Sequence, residues 1–181
     1  VTFNASRDTE IISTLFTTGV ISAERFNIVG LEGAVNWNQF SVQGEYVIAD
    51  VDKGAGPNGH LNSLYVQGSW YLTDENRRYS RRSGSIARFK PKQNFSWNKK
   101  WSERRGTGAL QLALRYAELD LNDQSAAIAG GEQKSLTLGI NWELNPVSRV
   151  MYNYVHADFT SGTGTDSGTL NSNIIRFQVD F

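Results

Sequence analysis

The chain has 181 residues, no cysteine, 17 glycines, three prolines and a formal net charge of zero. The length suits one domain, the missing cysteines exclude a disulfide framework and a thiolate metal site, and no window carries the roughly 18 apolar residues of a membrane helix. A mean hydropathy of −0.42 leaves room for a membrane barrel, whose strands hide their lipid-facing side chains at alternate positions.

In chain order, Val1, Phe3 and Ala5 share one face of a short opening strand over 1–7, and 9–25 has room for a turn of helix. No signal peptide opens the chain, so an exported protein is expected here as a mature chain or a piece of one. Side chains of a strand point to opposite faces at period two. Over 28–37, Val29, Leu31, Gly33, Val35 and Trp37 alternate with Glu32, Ala34 and Asn36. After a tight turn near Asn38, Phe40, Val42, Gly44, Tyr46 and Ile48 alternate with Ser41, Gln43 and Glu45. Leu64, Val66, Gly68, Trp70 and Leu72 follow, against Ser63, Tyr65, Gln67 and Ser69.

The stretch 74–105 breaks the pattern. It holds eleven basic residues, namely Arg77, Arg78, Arg81, Arg82, Arg88, Lys90, Lys92, Lys99, Lys100, Arg104 and Arg105, against Asp74, Glu75 and Glu103. The zero net charge thus hides a segment of +8 and a remainder of −8, a polarisation that marks where a charged partner goes. Five aromatics, Tyr79, Phe89, Phe95, Trp97 and Trp101, can anchor it to a wall. Alternation then resumes through Leu110–Tyr116, Leu136–Leu144 (with a possible helical turn at 124–130 between them), Val150–Tyr154 and Ile175–Phe181.

Three features separate a membrane barrel from a soluble sandwich. The strands run to about ten residues, the length of a tilted membrane strand. Tight turns at 37–39 and 145–148 alternate with long polar connections at 52–60, 122–132 and 161–171, the barrel habit of short periplasmic turns and longer outer loops. Trp37, Trp70 and Trp142 all sit on the apolar face near the short-turn end, where with the terminal Phe181 they predict an aromatic girdle. The expected fold is all-β, an antiparallel transmembrane β-barrel with about eight strands in this chain. By parity the 74–105 connection is periplasmic, and long loops of this kind are commonly functional.

The runs NIVGLEGAVNWNQFSVQGEYV (27–47), LYVQGSWYLTDENRRYSRRSG (64–84), LRYAELDLND (114–123), LGINWELNPVSRVMYNYVHAD (138–158) and FQVDF (177–181) resemble the C-terminal half of the phosphate-selective porin O and P family. The resemblance implies a homotrimeric barrel of about sixteen strands in the bacterial outer membrane. It also implies basic loops folded into the lumen, where arginines and lysines guide phosphate or related anions. Arg77, Arg78, Arg81, Arg82, Arg88, Lys90 and Lys92 fall on the family's long periplasmic connection, and Arg115, Arg149 and Arg176 on the lumenal face of strands. Glu32, Glu45 and Glu143 share that face and argue against strict phosphate selectivity.

Eight strands close into a barrel filled by its own side chains, so a segment of this size enters the lumen only if the barrel is larger than this chain. The expected function is passive diffusion of small anions, with membrane lipid and anions as partners, no nucleic acid, no cofactor, no metal and no catalytic set. A closed structural or adhesion barrel is the alternative. A barrel enzyme is a further one, with His156 and Asp158 on one strand face as its only acid–base pair. His60 reads as a solvated loop residue, and Asp120 and Asp123 as the candidates for an outer-loop cation.

Overall fold

The computed structural model describes residues 1–5, 16–76, 79–80, 85–86, 89–97, 106–162, 164 and 166–180. Among these, every regular element is a strand. Two-residue strands β1 (Asn4–Ala5) and β2 (Phe16–Thr17) pair with each other, as do β6 (Tyr79–Ser80) and β7 (Ser85–Ile86). The remaining seven are long: β3 (Arg25–Trp37), β4 (Phe40–Asp52), β5 (Gly59–Tyr71), β8 (Ala109–Asp123), β9 (Ile128–Asn145), β10 (Ser148–Thr160) and β11 (Ser167–Val179). They form one antiparallel meander in the order β11-β10-β9-β8-β5-β4-β3, open at its β3 and β11 edges.

Three expectations are corrected. The opening residues do not supply an eighth strand of this sheet. Val1 and Phe3 instead bond to Ile21 and Thr18 in a separate antiparallel pair; residues 6–15 lie outside the described set. The connections foreseen as long are shorter than expected, because the strands run on through their polar ends to leave only 53–58, 124–127 and 161–166. No helix forms at 124–130. Asp123 Oδ1 accepts the amides of Ser125 and Ala126, and Ala127 turns at φ 51° into β9. The tight turns are where they were expected, with Asn38 at φ 51° and Asn145 Oδ1 accepting the amides of Val147 and Ser148.

Register gives the sheet two unlike faces. One, called outward here, carries Leu31, Val42, Val66, Leu114, Leu138 and Ile175, all exposed. The inward face opposes them with Glu32, Gln43, Gln67, Arg115, Asn141 and Asn153. At the loop end the polarity reverses. The inward face there packs Ala49, Val51, Leu61, Leu121, Ala126 and Ile128 into a core closed by Ile21, with Phe3, Ala23, Leu119 and Phe159 around it. Gly130 permits this approach, since a Cβ there would lie 2.6 Å from Leu121 Cβ and 2.9 Å from Thr18 Cγ2. Outward at the same end stand Asp50 with His60, Glu118 and Glu132 with Lys134, and His156 with Asp158.

The upper border of the apolar outward band descends across the sheet as a staircase. It is level from Val29 to Ile48 and again from Tyr116 to Leu136. It drops two residues at each of the other four steps, where Asn62 faces Ile48, Glu118 faces Leu64, His156 faces Leu136 and Ile175 faces Tyr152. At about 3.3 Å per residue and 4.8 Å between strands, that slope is a strand tilt of about 40°, the inclination of strands in a membrane barrel.

Candidate functional site

The inward wall is built by residues that each strand turns away from the apolar band. Gln67 comes from β5, Ala113 and Arg115 from β8, Thr137, Gly139 and Asn141 from β9, Asn153 and Val155 from β10, and Ile174 from β11; together they line a pocket of about 260 Å³. Arg115 lies with its guanidinium carbon 4.5 Å from the Tyr65 ring centroid, a cation–π contact that covers one face of the group. Its Nε is buried with no hydrogen-bond partner among the described residues. A chain of side-chain bonds fixes the neighbouring amide: Asn141 Nδ2 donates to Gln111 Oε1 at 2.9 Å, and Gln111 Nε2 donates to Ser69 Oγ at 3.1 Å.

Arg149 sits nearer the short-turn end of the same wall. Its Nε and Nη2 donate to Gln178 Oε1 at 3.1 and 2.8 Å, and Nη1 stands 3.6 Å from Glu143. Arg176 shares this face, opposite Met151. Glu32 and Glu45 are paired across β3 and β4 on the same wall.

Within the basic connection, the described stretch 89–97 runs along the short-turn rim. Phe89 stacks on Tyr71 at 4.8 Å, the Phe95 amide donates to Leu144 O at 2.7 Å, and Phe95 meets Trp142 edge-on at 5.0 Å. Lys92 is tied twice, through Nζ to Asp74 Oδ2 at 2.8 Å and through its amide to Glu75 Oε1 at 2.9 Å. The hydrogen bond and charge of Lys92 hold Asp74 below its ordinary carboxylate pKa, whereas burial pushes Glu75 up. Lys90 is exposed; Arg77, Arg78, Arg81, Arg82 and Arg88 lie outside the described residues.

Aromatic rows border the apolar band at both ends. At the short-turn end Trp37, Phe40 and Trp70 stack in file at 6.4 and 5.7 Å, and Trp142 Nε1 donates to Thr107 O at 2.8 Å. Phe181 lies outside the described residues. The other row escaped the sequence reading. Tyr116, Tyr152 and Tyr154 face outward, their hydroxyls donating to Glu118, Asn173 and Asn171 beside the polar loop end. Its signal was present as tyrosines at the loop end of the apolar runs of β8 and β10, an amphipathic residue suited to an interface.

The acid–base candidates His156 and Asp158 meet on the outward face at the loop end, away from the inward wall. His156 Nδ1 is 2.8 Å from Asn171 Oδ1, with Nε2 3.7 Å from Asp158. Asp123 accepts from the amides of His60, Ser125 and Ala126, and Asp120 from that of Asn122. No group of three or more possible metal-holding side chains occurs among the described residues.

A family described as "Phosphate-selective porin O and P" matches residues 1–181. Porin O of Pseudomonas aeruginosa is 26% identical over 154 residues, covering 78% of this chain and 33% of that protein. An uncharacterized protein of Caulobacter vibrioides is 27% identical over 173 residues, covering 93% of this chain and again 33% of the relative. The chain therefore spans about a third of the length of the curated relatives it matches. A match along the whole chain, on a tilted sheet with an apolar outward band, leads to one assignment: the chain belongs to the phosphate-selective porin O and P family, an outer-membrane porin family of Gram-negative bacteria.

Proposed function

We propose that the protein containing this chain is a passive outer-membrane pore for small anions, phosphate or related species, and that these seven strands are one sector of its wall. The observation that carries this is the pairing of an apolar outward band with a polar inward face bearing Arg115, Arg149 and Arg176. The open edges support a larger closed barrel. In hydrocarbon an unpaired strand edge has no water to satisfy it, and β3 and β11 each expose one. Closure by further strands to about sixteen leaves an aqueous lumen, and three such barrels form the trimer that the family resemblance implies.

In this reading Arg77, Arg78, Arg81, Arg82, Arg88, Lys90 and Lys92 add to the positive field at the periplasmic mouth, with the three wall arginines behind them. A positive lumen raises local anion concentration and does so less as salt screens it. The test is the reversal potential of the full-length protein in planar bilayers under a salt gradient, with phosphate added against the chloride current. Anion preference that falls when Arg88, Lys90 and Lys92 are neutralised is expected. A cation-selective potential would refute the anion pore, and an unchanged potential in the triple variant would remove the basic segment from the pathway.

A further inference from the structure

We infer that the Arg115 pocket is a relay site for small organic monoanions, carboxylates with a short apolar body, in preference to inorganic phosphate. This rests on the pore reading above and names the solute that one part of the wall would favour.

The pocket holds one cation and no carboxylate among its lining residues. Tyr65 covers a face of the guanidinium, which directs binding to the edge that carries Nε. A buried donor without a partner calls for one, and the fork of an arginine edge matches the two oxygens of a carboxylate. Around that edge the polar lining is neutral: Gln67, Thr137, Asn141 and Asn153. Beside them on the same wall stand apolar groups, Val155 next to Thr137 and Ile174 next to Asn153, with Val155 buried. A monoanion would be neutralised by Arg115 while its alkyl part met those two side chains. A phosphate dianion would leave a charge uncompensated against an apolar wall, which is costly.

Gly139 keeps the space open. A Cβ there would fall 2.8 Å from Asn153 Oδ1, so any larger residue displaces that carboxamide. The volume of about 260 Å³ is at the small end for ligand pockets. Weak binding is what transport needs, since the solute must also leave.

The experiment uses the full-length protein in planar bilayers, with propionate and inorganic phosphate each titrated against the chloride current. Arg115→Lys keeps the charge and loses the fork, and an unchanged β-sheet circular dichroism spectrum in detergent reports its folding. Propionate should reduce the current at lower concentration than phosphate. Arg115→Lys should raise the propionate concentration for half-block by about tenfold, and Gly139→Ala should raise it to a smaller degree. Phosphate acting at or below the propionate concentration, or propionate block unaffected by Arg115→Lys, would overturn the inference. Anion selectivity with no propionate block sinks the pocket and keeps the pore. Cation selectivity with an Arg115-dependent propionate block sinks the anion pore and keeps the pocket.

Discussion

Halfway along the strands this sheet is apolar outside and polar inside; at the loop end it is polar outside and apolar inside. Outward Leu138 at mid-strand is 51% exposed, whereas inward Val51 at the loop end is fully buried. The backbone alternates identically in both regions, so the difference lies in what surrounds them. In the pore reading proposed above, the outer solvent around the band is hydrocarbon and the inner one water. Above it, water lies outside, and the apolar side chains turn inward to pack with Ile21 as in a soluble domain. In that reading the border between the two regimes, marked on β8 and β10 by Tyr116, Tyr152 and Tyr154, is one membrane interface.

The comparison breaks first at the loop-end core. Leu61→Ala, at a site 2% exposed, should destabilise by about 2 to 5 kcal/mol, while Leu64→Ala on the outward face should cost less, because lipid fills the space left. Urea unfolding in liposomes measures both, and equal costs would mean that Leu64 is packed against protein. Next is a charge in the band. Leu138→Arg should cost about 2 to 4 kcal/mol, whereas Asp158→Arg, above the border, should be near neutral in the same assay. A tolerated arginine at 138 would move the border.

A smaller effect distinguishes the tryptophans. Trp142→Phe removes the hydrogen bond to Thr107 O and should cost about 1 kcal/mol. Trp37→Phe at the exposed β3 edge should change stability less. Intrinsic fluorescence during unfolding reads both.

The smallest effect is a pH response at the rim. Asp74 has its pKa lowered, so its pairing with Lys92 stabilises above pH 3.8 and is lost as pH falls through the lowered value. Glu75 has its pKa raised by burial, so its contribution is present below pH 4.5 and is lost as pH rises through the raised value. Glu75→Gln should therefore raise the melting temperature slightly at pH 7 and leave it unchanged near pH 4. A loss at pH 7 would mean that the carboxylate is favoured there through its bond with the Lys92 amide.

Much of this was legible beforehand for local reasons. Val29 to Trp37, or Leu136 to Leu144, alternates within a single run, and period two is a property of one strand. Asn38 and Asn145 announced their turns because asparagine tolerates φ > 0 and caps amides with its own side chain. The opening residues misled because Val1, Phe3 and Ala5 alternate like a strand, yet their partners are residues 21, 18 and 16, not the sheet. The loop ends misled because a water-facing strand and a polar loop share a composition.

By itself the sequence determined which face of each strand is apolar, where the tight turns lie and that the fold is antiparallel and all-β, since each of these is written in neighbouring residues. Only the tertiary structure decided the staircase of registers, the core that joins Ile21 to Val51, Leu61 and Ile128, and the pocket that five strands build around Arg115. These depend on pairing offsets between strands, and a two-residue slip leaves every alternation intact while moving every partner.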